Sequence, residues 1–204
     1  LLFSYATITK AVPIAFIKSD PIKISTHQWS SQLVGAQIVG MLFEMVGEKV
    51  DYVGMDSLSV YESMCEGEVD IVHEIWGGAM GPYFEKELNK NCVVDLATHE
   101  AKVREGWWYP NYVKDMCPGL PDWEALNSCS KIFATKETDS MGRFVAGPSF
   151  WEKKDSKRIE ALNMNFIEVN FPSLGDMLEE LKVSIEEKKP IVIFNWTPNL
   201  VEAL

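Results

Sequence analysis

Positive charge, histidine and the signatures of known catalytic machinery are all scarce in this sequence. Lys and Arg number 19 against 30 Asp and Glu, leaving a net charge of −11. That balance argues against nucleic acid and anionic membrane surfaces as partners, and mildly favours small cations. The histidines are His27, His73 and His99, too few and too scattered for a triad or a metal centre. No Walker loop, G-x-S-x-G elbow or H-E-x-x-H helix is present. None of Cys65, Cys92, Cys117 and Cys129 forms a C-x-x-C pair, which argues against zinc. No apolar run is long enough to span a bilayer. Internal repeats and low-complexity runs are also missing. No catalytic residue, metal or cofactor is therefore expected.

What is present is an ordinary globular composition, 47% hydrophobic and 24% charged, in a chain long enough for one α/β domain or two small lobes. Its most informative stretch is Pro190 to Asn199, PIVIFNWTPN. Ile191 to Phe194 is a short run of β-branched and aromatic residues, suited to a strand buried on both faces. Asn195-Trp196-Thr197-Pro198 then breaks it, because proline cannot continue a central ladder. A second copy runs from Val69 to Ile75, into Trp76 and then Gly77-Gly78. Each predicted strand delivers a tryptophan at its exit, where open α/β sheets place their ligands.

Taken in order, residues 1–20 read either as the remnant of a secretory signal cut before Asp20 or as a frayed tail. Ile22 to Ser25 is a predicted strand. Val34, Ile38, Met41, Leu42 and Met45 follow at helical spacing, with Ser30 or Ser31 as N-cap and Gly47 as the stop. Lys49 to Met55 is the next strand, then a helix carrying Leu58, Tyr61 and Cys65, then the strand to Trp76. Pro82 suits the first turn of another helix, and Cys92 to Leu96 a further strand. This β-α-β-α alternation implies a largely parallel sheet flanked by helices.

Composition shifts near Thr98, and Gly106-Trp107-Trp108-Tyr109-Pro110 reads as extended. The expected organisation is a first lobe at 21–103, a second α/β lobe at 104–190, and a returning crossing at 191–204. The chain begins without Met and stops at Leu204 in mid-segment, so a truncated C-terminus is expected. Cys117 and Cys129 bracket a Pro-Gly-Leu-Pro turn and a short helical stretch. That spacing permits a disulfide, which would contribute roughly 2–4 kcal/mol. Cys65 and Cys92 read as buried thiols.

The aromatics carry the chemistry. Trp29, Trp76, Trp151 and Trp196 all fall at element ends, where sites concentrate, as does Tyr109. Trp123, in a helix start, reads as packing. Indole and phenol faces converging on one point form a cage for a quaternary ammonium, each face contributing roughly 0.5–2 kcal/mol. The backbone amides at Ser30 and Ser31, at a helix N-terminus, and Thr197 are candidate donors for an anionic end. The enzyme alternative rests on His73 with Glu74, or on Cys92. Along a strand the first two would point to opposite faces.

The segments GWWYPNYV, CPGLPDWEAL, GPSFW and IVIFNWTPN resemble the substrate-binding proteins of ABC importers for glycine betaine, proline betaine and choline, over residues 21–204. The resemblance implies an extracytoplasmic, monomeric, two-lobed fold of the periplasmic-binding-protein type, closing on a trimethylammonium group. It implies a permease and an ATPase subunit as partners, with hinge crossings near 98–105 and 190–196. Trp76 and Trp196 match the family's strand-end tryptophans. Trp29 resembles the one that choline binders carry after their first strand, but Ser31 stands where those binders place an acid. Trp151 or Phe150 fills the middle position, Trp151 preferred, and Tyr109, Trp107 or Trp108 the lobe crossing, Tyr109 preferred. Glycine betaine is the first expected ligand, followed by trimethylamine N-oxide, dimethylsulfoniopropionate, carnitine or choline. A ligand-sensing domain of a larger receptor is a further reading.

Overall fold

The computed structural model describes residues 20–203. The leader or tail expected at residues 1–20 lies outside them, apart from Asp20. The first part of the chain comprises β1 (Ile22–Thr26), α1 (Ser30–Met45), β2 (Val50–Gly54), α2 (Val60–Glu66) and α3 (Gly77–Asn89). The second comprises β3 (Arg104–Trp108), α4 (Val113–Met116), α5 (Trp123–Ser128), β4 (Gly142–Ala146), α6 (Asp155–Ala161), β5 (Phe166–Asn170), α7 (Leu174–Glu186) and β6 (Val192–Thr197). Short 3-10 turns lie at Ser130–Phe133, Ser149–Trp151 and Leu200–Ala203.

Two sheets result. β1 and β2 pair in parallel, with Ile24 opposite Tyr52. The larger sheet runs β3-β6-β4-β5. β4 is parallel to both β5 and β6, whereas β3 is antiparallel to β6. The parallel pairs need crossovers, and α6 and α7 supply them. β6 is buried from Val192 through Trp196, as its unbroken apolar run requires of an interior strand. Residues 191–204, read as a returning crossing, thus place β6 inside the second sheet before reaching the last 3-10 turn.

The main core fills the second sheet and its helices around Phe133, Phe144, Phe166, Met177 and Val192. Trp29, from the first part of the chain, belongs to it. A smaller core joins α2 to α3 through Val60, Tyr61 and Met80.

Several sequence expectations need correction. The strand expected over Val69–Ile75 is a single bridge, Ile24 to Ile71, after which the backbone leaves β1. The strand expected at Cys92–Leu96 is irregular. Val94 and Leu96 project into solvent there, and no strand pairs with them among the described residues. Cys92 is instead bonded to Cys65, so these are not free thiols; Cys117 and Cys129 form a second disulfide. α1 forms, but its first helical residue is Ser30 and its N-cap is Trp29. Its apolar stripe faces outward, with Val34, Ile38, Met41, Leu42 and Met45 exposed, while Gln32, Ala36 and Gly40 are buried. Small residues are required on the inner face. A Cβ on Gly35 would lie 2.1 Å from His73 Nε2, and one on Gly40 would lie 2.0 Å from Tyr52 Oη.

Candidate ligand-binding site

Two helix starts and two strand exits deliver the walls of one cavity. Trp29 and Trp76 are the N-cap residues of α1 and α3, each with extended backbone. Neither is a side-chain cap, so both indoles are free to point away from their helices. Trp196 lies near the end of β6, and Trp151 in the 3-10 turn just after β4, the neighbouring strand. Gly147 makes room for Trp151, since a Cβ there would lie 2.2 Å from Trp151 Cε3.

The indoles meet edge to face. Ring centroids are 6.3 Å apart for Trp29 and Trp151, 5.8 Å for Trp151 and Trp196, and 6.3 Å for Trp196 and Trp76. The interplanar angles are 85°, 85° and 78°. Glu74 closes the circuit. Its Oε1 accepts from Trp29 Nε1 at 2.6 Å and from Trp76 Nε1 at 2.7 Å, and Ser31 Oγ donates to it at 3.1 Å. His27 stacks on Trp29 at 5.0 Å. Burial lowers the His27 pKa, against opposing pulls from the Met55 carbonyl, Glu74 and Asp56, so the ring is neutral near pH 7. The imidazole Nδ1 therefore carries the proton and donates to the Met55 carbonyl oxygen at 2.9 Å.

On the other side stand Phe194, Glu105 and Lys153. Glu105 is paired in register with Trp196 across β3 and β6, and forms an ion pair with Lys153. Such a cavity offers negative ring faces and carboxylates, the surroundings that a small methylated cation prefers.

Of the site residues read from sequence, Trp29, Trp76, Trp151 and Trp196 line this cavity. Ser31 touches it through Glu74, and Ser30 is exposed at the start of α1. Thr197 pairs with Arg104 at the edge of β6 and does not line it. Tyr109 is separated from this group. It lines a second cavity with Trp107 and Trp123. Trp107 stacks on Phe144 at 3.8 Å and donates to Asp155 Oδ1 at 2.8 Å, which is packing.

Sequence reasoning missed Glu74 as the tie between two indoles, because alternation along a strand was assumed where none forms. It also missed Lys153, which sits in a Glu-Lys-Lys-Asp run with no local pattern to single it out.

Residues 20–203 match the family described as the substrate binding domain of ABC-type glycine betaine transport systems. The chain belongs to that family. It is 41% identical over 206 aligned residues to the trimethylamine N-oxide-binding protein of Pelagibacter ubique, covering 98% of this chain and 64% of that protein. Its fold is shared with the glycine betaine/L-proline-binding protein ProX of Borrelia burgdorferi, with a TM-score of 0.75 and 18% identity over 90% of this chain and 66% of that one. It is also shared with lactococcal OpuAC in its closed form with glycine betaine, with a TM-score of 0.69 and 15% identity over 91% of this chain and 68% of that one. The chain therefore has an α/β architecture of the periplasmic-binding-protein type, and spans just under two thirds of the length of its Pelagibacter relative.

Proposed function

We propose that this chain is the ligand-capturing part of an extracytoplasmic substrate-binding protein, serving an ABC importer for a small methylated onium compound. The observation that carries the reading is the ring of Trp29, Trp151, Trp196 and Trp76, closed by Glu74. Family membership supports the transport role, with a permease and an ATPase as partners. The ligand of the Pelagibacter relative supports trimethylamine N-oxide beside glycine betaine.

Residues 21–103 and 104–190 would form the two lobes, with β3 and β6 running side by side at the crossing. Trp29 and Trp76 come from one lobe, and Trp151 and Trp196 from the other side of the cavity, so lobe closure would complete the cage and exclude water. Glu74 has its Oε1 engaged by two indole N–H groups and a serine hydroxyl, which suits a positioning role rather than acid/base chemistry with His73.

The test is intrinsic tryptophan fluorescence and calorimetry on the full-length protein with glycine betaine, trimethylamine N-oxide, dimethylsulfoniopropionate, carnitine and choline. Saturable binding of at least one, weakened by roughly 2- to 30-fold in Trp76→Ala, is expected. A folded protein that responds to none of them would overturn the proposal.

A further inference from the structure

We propose that Lys153 sets the charge type of the ligand, admitting zwitterions whose oxyanion lies close to the methylated cation and discriminating against bare cations. This inference rests on the onium reading above and assigns a residue that reading does not use. An aromatic cage for a cation works with a neutral or acidic lining, yet here an ammonium stands in the wall. Lys153 Nζ lies 5.1 Å from the centroid of Phe194 and 5.8 Å from that of Trp76, over ring faces that an incoming cation would use. Its side chain is only 14% exposed. A lysine so withdrawn from water persists where it has a partner, and Glu105 is that partner.

The loop is shaped to hold it there. Glu152 and Lys154, on either side, have φ values of 54° and 58°, a left-handed conformation uncommon outside glycine. Arg158 Nη1 donates to the Lys153 carbonyl oxygen at 2.6 Å, tying the loop to α6. Two residues earlier in the same loop, Trp151 Nε1 is buried with no acceptor. One short segment thus brings an ammonium, beside the wall residue Trp151, to a cavity otherwise built for positive charge.

The physical consequence is a filter. A bare cation such as tetramethylammonium meets a like charge across the same rings. A zwitterion brings an oxyanion that Lys153 can bond while the methyl groups lie against the indoles. An N-oxide carries that oxygen on the nitrogen itself, and a betaine carries it on a nearby carboxylate. The two share the chemistry, and the ligands in the test separate them. A hydrogen bond between charged groups changes affinity by roughly tenfold or more.

The test is calorimetric titration of full-length wild type, Lys153→Met and Lys153→Arg with glycine betaine, trimethylamine N-oxide, choline and tetramethylammonium. Wild type should bind at least one zwitterion about tenfold or more tighter than either bare cation. Lys153→Met should lose about tenfold or more for that zwitterion, with tetramethylammonium unchanged or tighter. Lys153→Arg should keep the preference. Equal losses for both charge types, or an unchanged zwitterion affinity, in a Lys153→Met protein with wild-type melting temperature would overturn the inference while leaving the cage intact. If Lys153→Met does not fold, Glu105→Gln takes its place. It releases Lys153 from its carboxylate and should widen the zwitterion preference, and a narrower preference would overturn the inference. A wild type that binds no methylated onium at all removes the cage and this inference together.

Discussion

Trp29 Nε1 donates to Glu74 Oε1 at 2.6 Å, joining residues 45 positions apart. The same oxygen holds Trp76, so one carboxylate sets the orientation of two walls. Glu74→Leu leaves both indole N–H groups without their acceptor. It should lower stability by about 1–3 kcal/mol and onium affinity by roughly tenfold. Glu74→Gln, which keeps an acceptor oxygen, should lose less of both. Urea unfolding and calorimetry on the two variants check this.

Removing an indole has different costs on the two sides of the cavity. Trp196 is buried in the main core, so Trp196→Ala should cost about 3–5 kcal/mol of stability as well as binding. Trp76 is only partly buried, and Trp76→Ala should weaken binding by roughly 2- to 30-fold with a smaller change in melting temperature. Thermal unfolding run alongside titration separates the two effects.

Gly147 is needed for space. A methyl group 2.2 Å from Trp151 Cε3 must displace the ring or the backbone beneath it. Gly147→Ala should therefore weaken ligand binding by about tenfold or more while costing roughly 1–3 kcal/mol of stability. Near-ultraviolet circular dichroism of the tryptophans should change with it.

Burial lowers the pKa of His27 and of His73 below 6.5, outweighing the opposing pull of Glu74 on both rings. His99 adds to the depression at His73, and Asp56 opposes it at His27. The unfolded chain then takes up these protons at higher pH than the folded one. The corresponding stability is present in full above pH 6.5 and is lost as pH falls from there through the lowered values. A protonated His27 also puts positive charge against Trp29, so onium affinity should fall over the same window. Unfolding and titration between about pH 8 and pH 5 check both, and His27→Gln should flatten the binding profile.

The two disulfides close loops with sequence separations of 27 and 12. Replacing Cys117 and Cys129 by serine should cost roughly 2–4 kcal/mol, and replacing Cys65 and Cys92 slightly more because the loop is longer. Denaturant midpoints of the paired variants measure the difference.

Much of the second sheet was legible because its signals are local. The Ile191–Phe194 run is set by a few neighbouring residues, although β6 continues through Asn195 and Trp196 to Thr197, past the break expected there. The positions of Trp29, Trp76, Trp151 and Trp196 at element ends were legible for the same reason. What was not legible depends on partners distant in sequence. Val69–Ile75 has the composition of a strand, yet only Ile71 finds a neighbour to bridge. That loss of alternation lets Glu74 turn toward Trp29, and no local pattern encodes it. Tyr109, expected beside the other aromatics, lies just past β3 and lines a second cavity with Leu120, Trp123 and Leu162, partners that no local pattern marks. No local pattern singles out Lys153 until Glu105 and the ring of Phe194 are brought beside it by the fold.

The outward stripe of α1 has a consequence for how this span behaves in solution. Val34, Ile38, Met41, Leu42 and Met45 form an oily ridge on a chain whose net charge is −11. In dilute buffer, mutual repulsion holds copies apart. Molar salt shortens the reach of that repulsion to about 3 Å and leaves the attraction between ridges unopposed. The colloidal state of these residues on their own should thus be set by ionic strength, dispersed when it is low and clustered when it is high, as light scattering would register.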